Sequence, residues 1–467
     1  MRDLLRAQLA PRRDVGAAEL ARAAPWIVRD ATLAEVMNVL TSGTLLCAFA
    51  VALGASNTVV GLVAGIGPLF QALQLTATAL VEKLRARKAM TFVSAVVGRA
   101  MWLVVAIAAL LPASPTRLAV LLAALGLRAA INTYYICAQN SWMRDLIPDG
   151  SMGDFYARRM RASYLAGLVA GLAGGFMVDL FAHGTGQPLH GYALLFVAAF
   201  VFGEAAALTT LKIPEPELPP PTGEPLHGRL LAPLRDGPYR RFLAYIAAWN
   251  LTSGMASPIF TIYLLRGLGY PLSWVVILEA TGKIAHVLTL GMWGRLADRH
   301  TSRSVVAAAQ PFYWASLLLW PLAGLLGGAR PVTLAVVAAI FVVNRAAAAG
   351  IAIGNNTLAM QLAPRGGATP YLAVRSLVMN PVAFVAPVLG GAITDLLGRV
   401  PALRGWALDV ALAAAALVAI LGALLLRRVS QEGASDLRTV RADLWRELRP
   451  GRRTVRPGAA RAPGPKP

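Results

Sequence analysis

The sequence predicts an all-α membrane protein with twelve transmembrane helices in two pseudo-symmetric six-helix bundles. Three observations support this fold class: an apolar composition, a set of landmarks that occurs twice at one spacing, and basic residues concentrated in alternate loops. Hydrophobic residues make up 57% of the chain and charged residues 14%, whereas soluble domains average roughly 45–50% and about 25%. The chain therefore belongs to the membrane class.

The helices are predicted from apolar segments long enough to cross a bilayer core, which takes roughly 20 residues each. Twelve such segments can be marked: 31–54, 57–81, 89–112, 115–138, 159–183, 190–211, 240–265, 272–293, 302–327, 331–352, 370–397 and 404–426. A stretch rich in proline and glutamate separates the sixth from the seventh, and it cannot continue a helix. The expected parts are a cytoplasmic N-terminal arm (1–30), a first bundle (31–211), a cytoplasmic linker (212–239), a second bundle (240–427) and a basic cytoplasmic tail (428–467).

The two halves share landmarks at an offset of 216 residues. The matched pairs are Asn140 and Asn356, Pro148 and Pro364, Arg159 and Arg375, Gly174 and Gly390, and Asp179 and Asp395. Arg128 and Arg345 form a further pair that is displaced by one residue. A fixed offset of this kind indicates an internal duplication. The glycine and aspartate landmarks fall at the outer ends of helices 5 and 11, where helix packing is sufficient to explain them.

Basic residues predict the orientation. The N-terminal arm, the tail and every second loop are rich in arginine and lysine, whereas the opposite loops hold only Arg117, Arg266, Arg330, Arg399 and Arg404. The positive-inside rule therefore predicts that both termini are cytoplasmic in a multi-pass protein of the cytoplasmic (inner) membrane. The net charge of +21 follows from this bias and from a tail that faces anionic membrane lipids, so no nucleic-acid partner is expected.

Several classes of protein are not favoured. Cys47 and Cys137 lie in apolar runs, and the five histidines are scattered, so neither a disulfide framework nor a metal site is expected. The sequence has no nucleotide-binding loop and no interfacial cluster of nucleophiles or paired carboxylates. We therefore expect a protein that is not an enzyme and has no cofactor. It is also expected to be a monomer.

The loop after the eighth segment carries a resemblance to a known family. It runs Gly294-Arg-Leu-Ala-Asp298-Arg299-His-Thr-Ser-Arg303 and resembles the loop signature of the major facilitator superfamily, whose plan also has two halves of six helices and internal termini. The resemblance implies that Gly294, Asp298, Arg299 and Arg303 form a cytoplasmic gate. Thr301 and Ser302 depart from the motif, and the first-half copy has Ala86 where the aspartate is expected.

A weaker resemblance concerns the direction of transport. The run Ala386-Pro387-Val-Leu-Gly390-Gly391 is similar to a helix 5 motif of exporters in the same family. It is compatible with export, but close packing of helices explains it equally well.

Polar residues inside the predicted helices mark a candidate binding site, because ionisable groups in a bilayer normally face the bundle interior. Arg128 and Arg345 lie about 20 Å from the outer surface, at 1.5 Å per residue. The family resemblance places helices 1, 4, 7 and 10 around the central cavity. The candidate binding residues on these helices are Glu35, Asn38, Arg128, Asn132, Tyr135, Gln139, Trp249, Asn250, Arg345 and Asn356.

Two interpretations of the arginines remain open. In one, Arg128 and Arg345 hold an anionic or hydrogen-bonding solute between them. In the other, each arginine pairs with a carboxylate of its own half, with Glu35 and Glu204 as candidates. On helix 8, Glu279, Lys283 and His286 share a face and form either a proton relay or a static, charge-neutralised pair.

The predicted function is secondary active transport of a small solute, anionic or amphipathic, coupled to a proton or another ion. The alternatives are a lipid translocator on the same fold and a non-transporting sensor or assembly factor that signals through the tail. In that tail, Leu437, Val440, Leu444 and Leu448 have helical spacing and predict an amphipathic surface helix.

Overall fold

The computed structural model describes residues 15–146, 152–217, 233–327, 331–363, 368–429 and 437–448. Within these ranges the chain forms twelve long helical segments followed by one short helix. The first six are α1 (Ala17–Thr41 and Gly43–Ala52), α2 (Asn57–Phe70 and Gln74–Leu84), α3 (Arg87–Leu110), α4 (Pro115–Leu146), α5 (Met152–Thr185) and α6 (Pro188–Thr210). The others are α7 (Gly237–Ile262), α8 (Leu272–Arg299), α9 (Ser302–Leu318 and Trp320–Leu326), α10 (Pro331–Leu362), α11 (Ala368–Arg399), α12 (Ala407–Arg427) and α13 (Leu437–Leu448).

Length and apolarity show that this is a multi-pass membrane protein. Among the described residues, ten helices are long and apolar enough to cross a bilayer, and the bent α2 makes eleven. The remaining long helix, α7, is 26 residues long and carries polar side chains at Asn250, Thr252, Ser253 and Ser257. These residues make α7 less apolar than its neighbours, as expected of a helix that lines a polar cavity.

Three of the segments are interrupted at identifiable residues. In α1 the chain breaks at Ser42, and Gly43 adopts a left-handed conformation with φ of 56°. In α2 a 3₁₀ turn at Gln71–Leu73 follows Pro68 and bends the helix by 51°. In α9 the break at Leu319 comes two residues before a proline that lacks a backbone donor.

The helices pack as two equivalent bundles. In the first half, α1 packs against α5 and α6, α3 against α4 and α6, and α2 against α4. In the second half, α7 packs against α11 and α12, α9 against α10 and α12, and α8 against α10. Each pair in one half has its counterpart in the other. The prediction of an all-α membrane protein with two pseudo-symmetric bundles is confirmed.

The beginning of the chain differs from the predicted arm. Residues 1–14 lie outside the described residues, but α1 already begins at Ala17, inside the stretch predicted to lie on the membrane surface. The side chain of Ile27 is only 1% exposed and packs with Trp142, Met143 and Leu146 of α4. The predicted start at residue 31 is therefore too late. Charged residues in this stretch made it resemble a surface arm, although the apolar face of the helix packs on protein.

Candidate functional site

The first half contains a polar cavity of about 220 Å³ between α1, α3 and α4. Its polar lining residues are Asn38, Ser94, Arg99, Arg128, Asn132 and Tyr135. Four of these were predicted from the sequence: Asn38 on α1, and Arg128, Asn132 and Tyr135 on one face of α4. The i, i+4, i+7 spacing on α4 therefore aims these three side chains into one cavity.

Arg128 is the uncompensated cation of this cavity. Its guanidinium carbon lies 4.4 Å from the ring centroid of Trp102, a cation–π contact worth about 0.5–2 kcal/mol. Among the described residues it has no hydrogen-bond or ion-pair partner, and it pairs with neither Glu35 nor Glu204. The positive charge of Arg99 also acts on it. A guanidinium in this setting is suited to bind a carboxylate or phosphate group.

The second half contains a cavity of about 290 Å³ lined by α7, α9, α10 and α11. Trp249 and Tyr313 form an edge-to-face pair on its wall, with ring centroids 4.6 Å apart. The polar part of the lining also includes Asn250, Ser253, Ser257 and Arg345. Of these residues, Trp249, Asn250 and Arg345 were predicted from the sequence. The combination of aromatic and hydrogen-bonding groups is typical of small-molecule sites.

Arg345 differs from Arg128 because it is neutralised. Its Nη2 lies 3.1 Å from Oε1 and 3.0 Å from Oε2 of Glu279 on α8. Gly282 makes this approach possible, since a Cβ at that position would lie 2.8 Å from Cγ of Arg345. The interpretation that each arginine pairs with a carboxylate of its own half thus describes Arg345 but not Arg128. The partner is Glu279 rather than either candidate carboxylate.

The predicted relay on α8 is arranged differently from the sequence prediction. Glu279 bonds to Arg345 across the helix pair, whereas Lys283 acts electrostatically on Glu35 of α1. The Nδ1 atom of His286 lies 3.1 Å from the backbone oxygen of Arg345 and joins α8 to α10. Each of the three residues therefore has its own partner on a neighbouring element, and they do not form one relay.

Three predicted binding residues lie outside both cavities. Glu35 packs beside α5, where its Cγ would be 3.2 Å from a Cβ at Gly167. Gln139 donates to Asp30 of α1 at 3.1 Å, and Asn356 accepts from Arg375 at 3.1 Å. Gln139 and Asn356 each lie eleven residues beyond the arginine of their helix, about 16 Å along the axis. They share its face but not its depth.

The two halves are locked together at one end by carboxylates that cap helices. Asp179 at the end of α5 accepts from the backbone amides of Leu272 and Ser273 at 3.0 and 2.7 Å, the N-terminus of α8. Asp395 at the end of α11 accepts from the amides of Asn57 and Thr58, at 3.1 and 2.8 Å, the N-terminus of α2. A carboxylate is favourable at a helix N-terminus because the exposed amides and the helix dipole are positive there.

These caps are related by the internal repeat. Asp179 and Asp395 are one landmark pair, and the helices that they cap are also equivalent in the two halves. Arg266 adds a third contact at the same end, donating to Oδ1 of Asn57 at 2.7 Å and to the backbone oxygen of Ala55 at 2.6 Å. The hydrogen bonds described between the halves lie at this end, which we call the closed end. The aspartates are therefore inter-bundle contacts, and packing alone does not explain them.

Glycines bring the helices close enough for these contacts. A Cβ on Gly61 of α2 would collide with the backbone oxygen of Pro387, and one on Gly391 of α11 would collide with that of Asn57. Only glycine allows α2 and α11 to approach this closely. The motif at 386–391 thus has a packing role in this structure.

Known structures share this architecture. No family model and no curated protein sequence matches the chain. A crystal structure of a mutant of the nucleoside transporter NupG superposes with a TM-score of 0.67 at 13% identity, over 88% of this chain and 100% of that chain. A bacterial homologue of the human lysosomal transporter Spinster, in an inward-facing and unoccupied conformation, gives 0.62 at 17% identity, over 94% and 100%. A POT family transporter in complex with 5-aminolevulinic acid gives 0.61 at 11% identity, over 91% and 99%.

These neighbours are all transporters of one fold. The chain has the major facilitator fold. In the present structure the predicted gate segment covers the last turns of α8 and the residues that follow, and its basic side chains contact the short helix α13. Arg295 and Arg299 lie 2.7 and 3.3 Å from the carboxylate of Glu447, and His300 lies 3.0 Å from Asp443.

The other charged residues of the predicted gate do not join the two halves either. Arg303 donates to the backbone oxygen of Arg427, in its own half, at 3.0 Å, and Asp298 is exposed without a described partner. The gate predicted from Gly294, Asp298, Arg299 and Arg303 is thus not engaged in this conformation, because the described hydrogen bonds between the halves lie at the opposite end.

The helix predicted in the tail is present as α13. Val440 and Leu444 are buried, as the predicted amphipathic spacing requires, whereas Trp445 is exposed. The apolar face of α13 packs on α9 and α8. The helix therefore lies on the second bundle.

Sequence reasoning missed two residues of the first half, Arg99 and Asp30. Arg99 lines the cavity from α3. Its counterpart at the repeat offset is Ala315, so a search for paired landmarks could not reveal it. An arginine inside an apolar segment is nevertheless a signal in its own right. Asp30 was missed because the predicted first helix began one residue later.

Proposed function

We propose that this protein is a secondary transporter that moves a small solute across a membrane by alternating access. One observation supports the proposal most strongly: the hydrogen bonds described between the halves lie at one end, and a polar cavity lies behind them in each half. A carrier needs such an arrangement in order to expose its site to one side of the membrane at a time. The fold neighbours include a nucleoside transporter and a transporter in complex with 5-aminolevulinic acid, which supports a small solute here.

The bias of basic residues supports an orientation with both termini in the cytoplasm. The closed end is then the outer end, and the cavities open towards the cytoplasm. In the reverse state the caps at Asp179 and Asp395 separate, and the loop at 294–303 approaches the first half. The host membrane under this proposal is the cytoplasmic membrane.

The substrate under this proposal carries an anionic group. In the first half Arg128 is a half-buried cation without a described acceptor, and Asn38 and Asn132 line the same cavity. In the second half Arg345 is neutralised by Glu279, and the wall offers the aromatic pair of Trp249 and Tyr313 instead. An anion at Arg128, with an apolar or hydrogen-bonding portion against that pair, satisfies both halves.

A flux screen tests the proposal. The purified protein is reconstituted in liposomes with a pH gradient, and organic anions, sugars, amphipathic drugs and fluorescent lipids are tested against protein-free liposomes. Saturable, protein-dependent flux of an organic anion supports the proposal. Movement of lipid alone indicates a lipid translocator. Absence of flux for every class, in protein shown to be folded, indicates a sensor or assembly factor.

A further inference from the structure

The first half contains a buried carboxylate that neither the cavity nor the closed end uses. Asp30 of α1 is 2% exposed. Its Oδ2 accepts one hydrogen bond, from Nε2 of Gln139 at 3.1 Å, and its Oδ1 has no hydrogen-bond partner among the described residues. A buried carboxylate normally has several donors, because a buried charge without hydrogen bonds is strongly unfavourable. Asp30 therefore has few hydrogen-bond donors for a buried carboxylate.

The charged and polar groups that face Asp30 come from neighbouring helices. Arg99 of α3 and Arg159 of α5 act on it electrostatically, and Gln139 of α4 bonds to it. Tyr135 lies one turn before Gln139 on the same face of α4. From α6, Glu204 faces Arg99 rather than Asp30.

Polar side chains lie between Asp30 and the cavity. Gln139 and Tyr135 lie along α4, and Nη2 of Arg99 lies 3.4 Å from the Tyr135 hydroxyl. Tyr135 and Arg99 both line the cavity, together with Arg128. Asp30 is separated from the closed end by most of the length of α1, about 30 Å of helix, which places it near the opposite edge of the bilayer core.

We propose that Asp30 is the site that binds and releases the coupling proton, and that Arg99 links its charge to the anion site at Arg128. A proton from the aqueous phase at the open end binds to Oδ1 and converts the carboxylate to the neutral acid. Of the two described carboxylates that face Arg99, Asp30 and Glu204, only Glu204 can then carry a negative charge. The cavity therefore becomes more positive and holds an anion more tightly. Because binding linkage is reciprocal, an anion at Arg128 in turn favours protonation of Asp30.

Linkage between Asp30 and Arg128 predicts that the proton and the anion move together, and this coupling rests on the proposed function. The assignment of Asp30 as a proton-binding site does not rest on it. The relay predicted from Glu279, Lys283 and His286 is not needed, because Glu279 is held in an ion pair with Arg345. Glu204 is a matched control, since it also faces Arg99 and has a buried oxygen without a described partner.

Infrared difference spectroscopy between acidic and neutral pH tests the proton site on the full-length protein in lipid, without any substrate. We expect a carbonyl band of a buried carboxylic acid that is present in the wild type and in Glu204→Gln and lost in Asp30→Asn. If Asp30→Asn does not fold, ¹³C-labelled aspartate in the wild-type chain must shift the band. A band that persists in Asp30→Asn, that Glu204→Gln removes, or that labelled aspartate leaves unshifted would overturn the assignment.

The coupling is then tested in liposomes with a radiolabelled anion that passes the flux screen. Asp30→Asn should lose accumulation driven by a pH gradient and keep exchange of labelled for unlabelled anion, whereas Glu204→Gln should keep both. Gradient-driven accumulation in Asp30→Asn would overturn the coupling role. If no anion is transported but the band behaves as expected, the proposed function fails while the proton site stands.

Discussion

The caps at the closed end should determine the balance between the two conformations of the proposed transporter. Asp395 accepts from two amides and, at 2.6 Å, from the hydroxyl of Thr58, and Asp179 accepts from two amides. Asparagine is nearly isosteric with aspartate but uncharged. Hydrogen bonds to a charged group are worth about 1.5–3 kcal/mol, so each substitution should shift the equilibrium roughly 10- to 150-fold towards opening of this end.

Labelling of a cysteine in the cavity measures that shift. Ser257 lines the second-half cavity and lies on α7, before the π-helical turn at Tyr263–Gly267 that ends the helix. A Ser257→Cys protein in which Cys47 and Cys137 are replaced by alanine reacts with a membrane-impermeant thiol reagent added from one side at a time. Asp179→Asn and Asp395→Asn should raise the rate from the closed end about tenfold or more, and the double variant should raise it further.

A carboxylate of the second half supplies the matched control. Asp409 accepts from the Tyr263 hydroxyl at 2.8 Å, and both residues belong to the same half. Asp409→Asn should therefore leave the labelling rate from the closed end unchanged. If the cap variants label no faster than Asp409→Asn, or if all three label equally faster, the caps do not hold the halves together.

Three further predictions concern single contacts. Gly61→Ala should raise the same labelling rate because its Cβ would collide with the backbone of α11. Gly67→Ala on the same helix has open space and should have no effect. Equal labelling rates of the two variants would contradict the packing role. Arg345→Gln should lower the melting temperature because it leaves Glu279 unpaired, a loss of up to about 3–5 kcal/mol when such a pair is fully buried. The double variant Glu279→Gln/Arg345→Gln should recover most of that loss, and a double variant as unstable as the single one would contradict the pairing. Glu447→Gln should release α13 and expose it to protease. Arg446→Gln should leave cleavage unchanged, since the side chain of Arg446 is 78% exposed and its one described ion pair is within α13. Equal cleavage of both variants would contradict the docking role. Since the hydrogen bond from Arg295 lowers the pKa of Glu447 below its ordinary 4.5, this docking contribution is present above pH 4.5 and is lost as the pH falls through the lowered pKa.

Much of the fold could be predicted from the sequence because each helix is marked by a long apolar segment and the repeat offset relates the helices of the two halves. The depth of Arg128 and its face on α4 followed from helical geometry, and the cavity contains Asn132 and Tyr135 as that face requires. Partners across helices could not be predicted in the same way. Gly282 lets Arg345 reach Glu279 from α10, and the spacing of residues on a single helix carries no information about that approach.

The contacts at the closed end also could not be predicted from the sequence. The repeat marked Asp179 and Asp395 as equivalent, and their position at helix ends was evident. Their role depends on which helix N-terminus lies opposite, which is a property of the packing between the halves. Arg99 and Asp30 were missed for other reasons. Arg99 has no repeat counterpart that would single it out, since Ala315 occupies the equivalent position, and Asp30 lies one residue before the predicted start of the first helix.

The proposed transporter binds its anionic solute at Arg128, a half-buried cation without a described acceptor. The decisive measurement is the saturable flux of an organic anion in liposomes, compared between Arg128→Gln and the charge-neutral pair Glu279→Gln/Arg345→Gln. Loss of charge-assisted hydrogen bonds worth about 1.5–3 kcal/mol should raise the half-saturation concentration roughly 10- to 150-fold in Arg128→Gln, whereas the paired variant should stay close to the wild type. An unchanged half-saturation concentration in folded Arg128→Gln would show that Arg128 does not bind the solute.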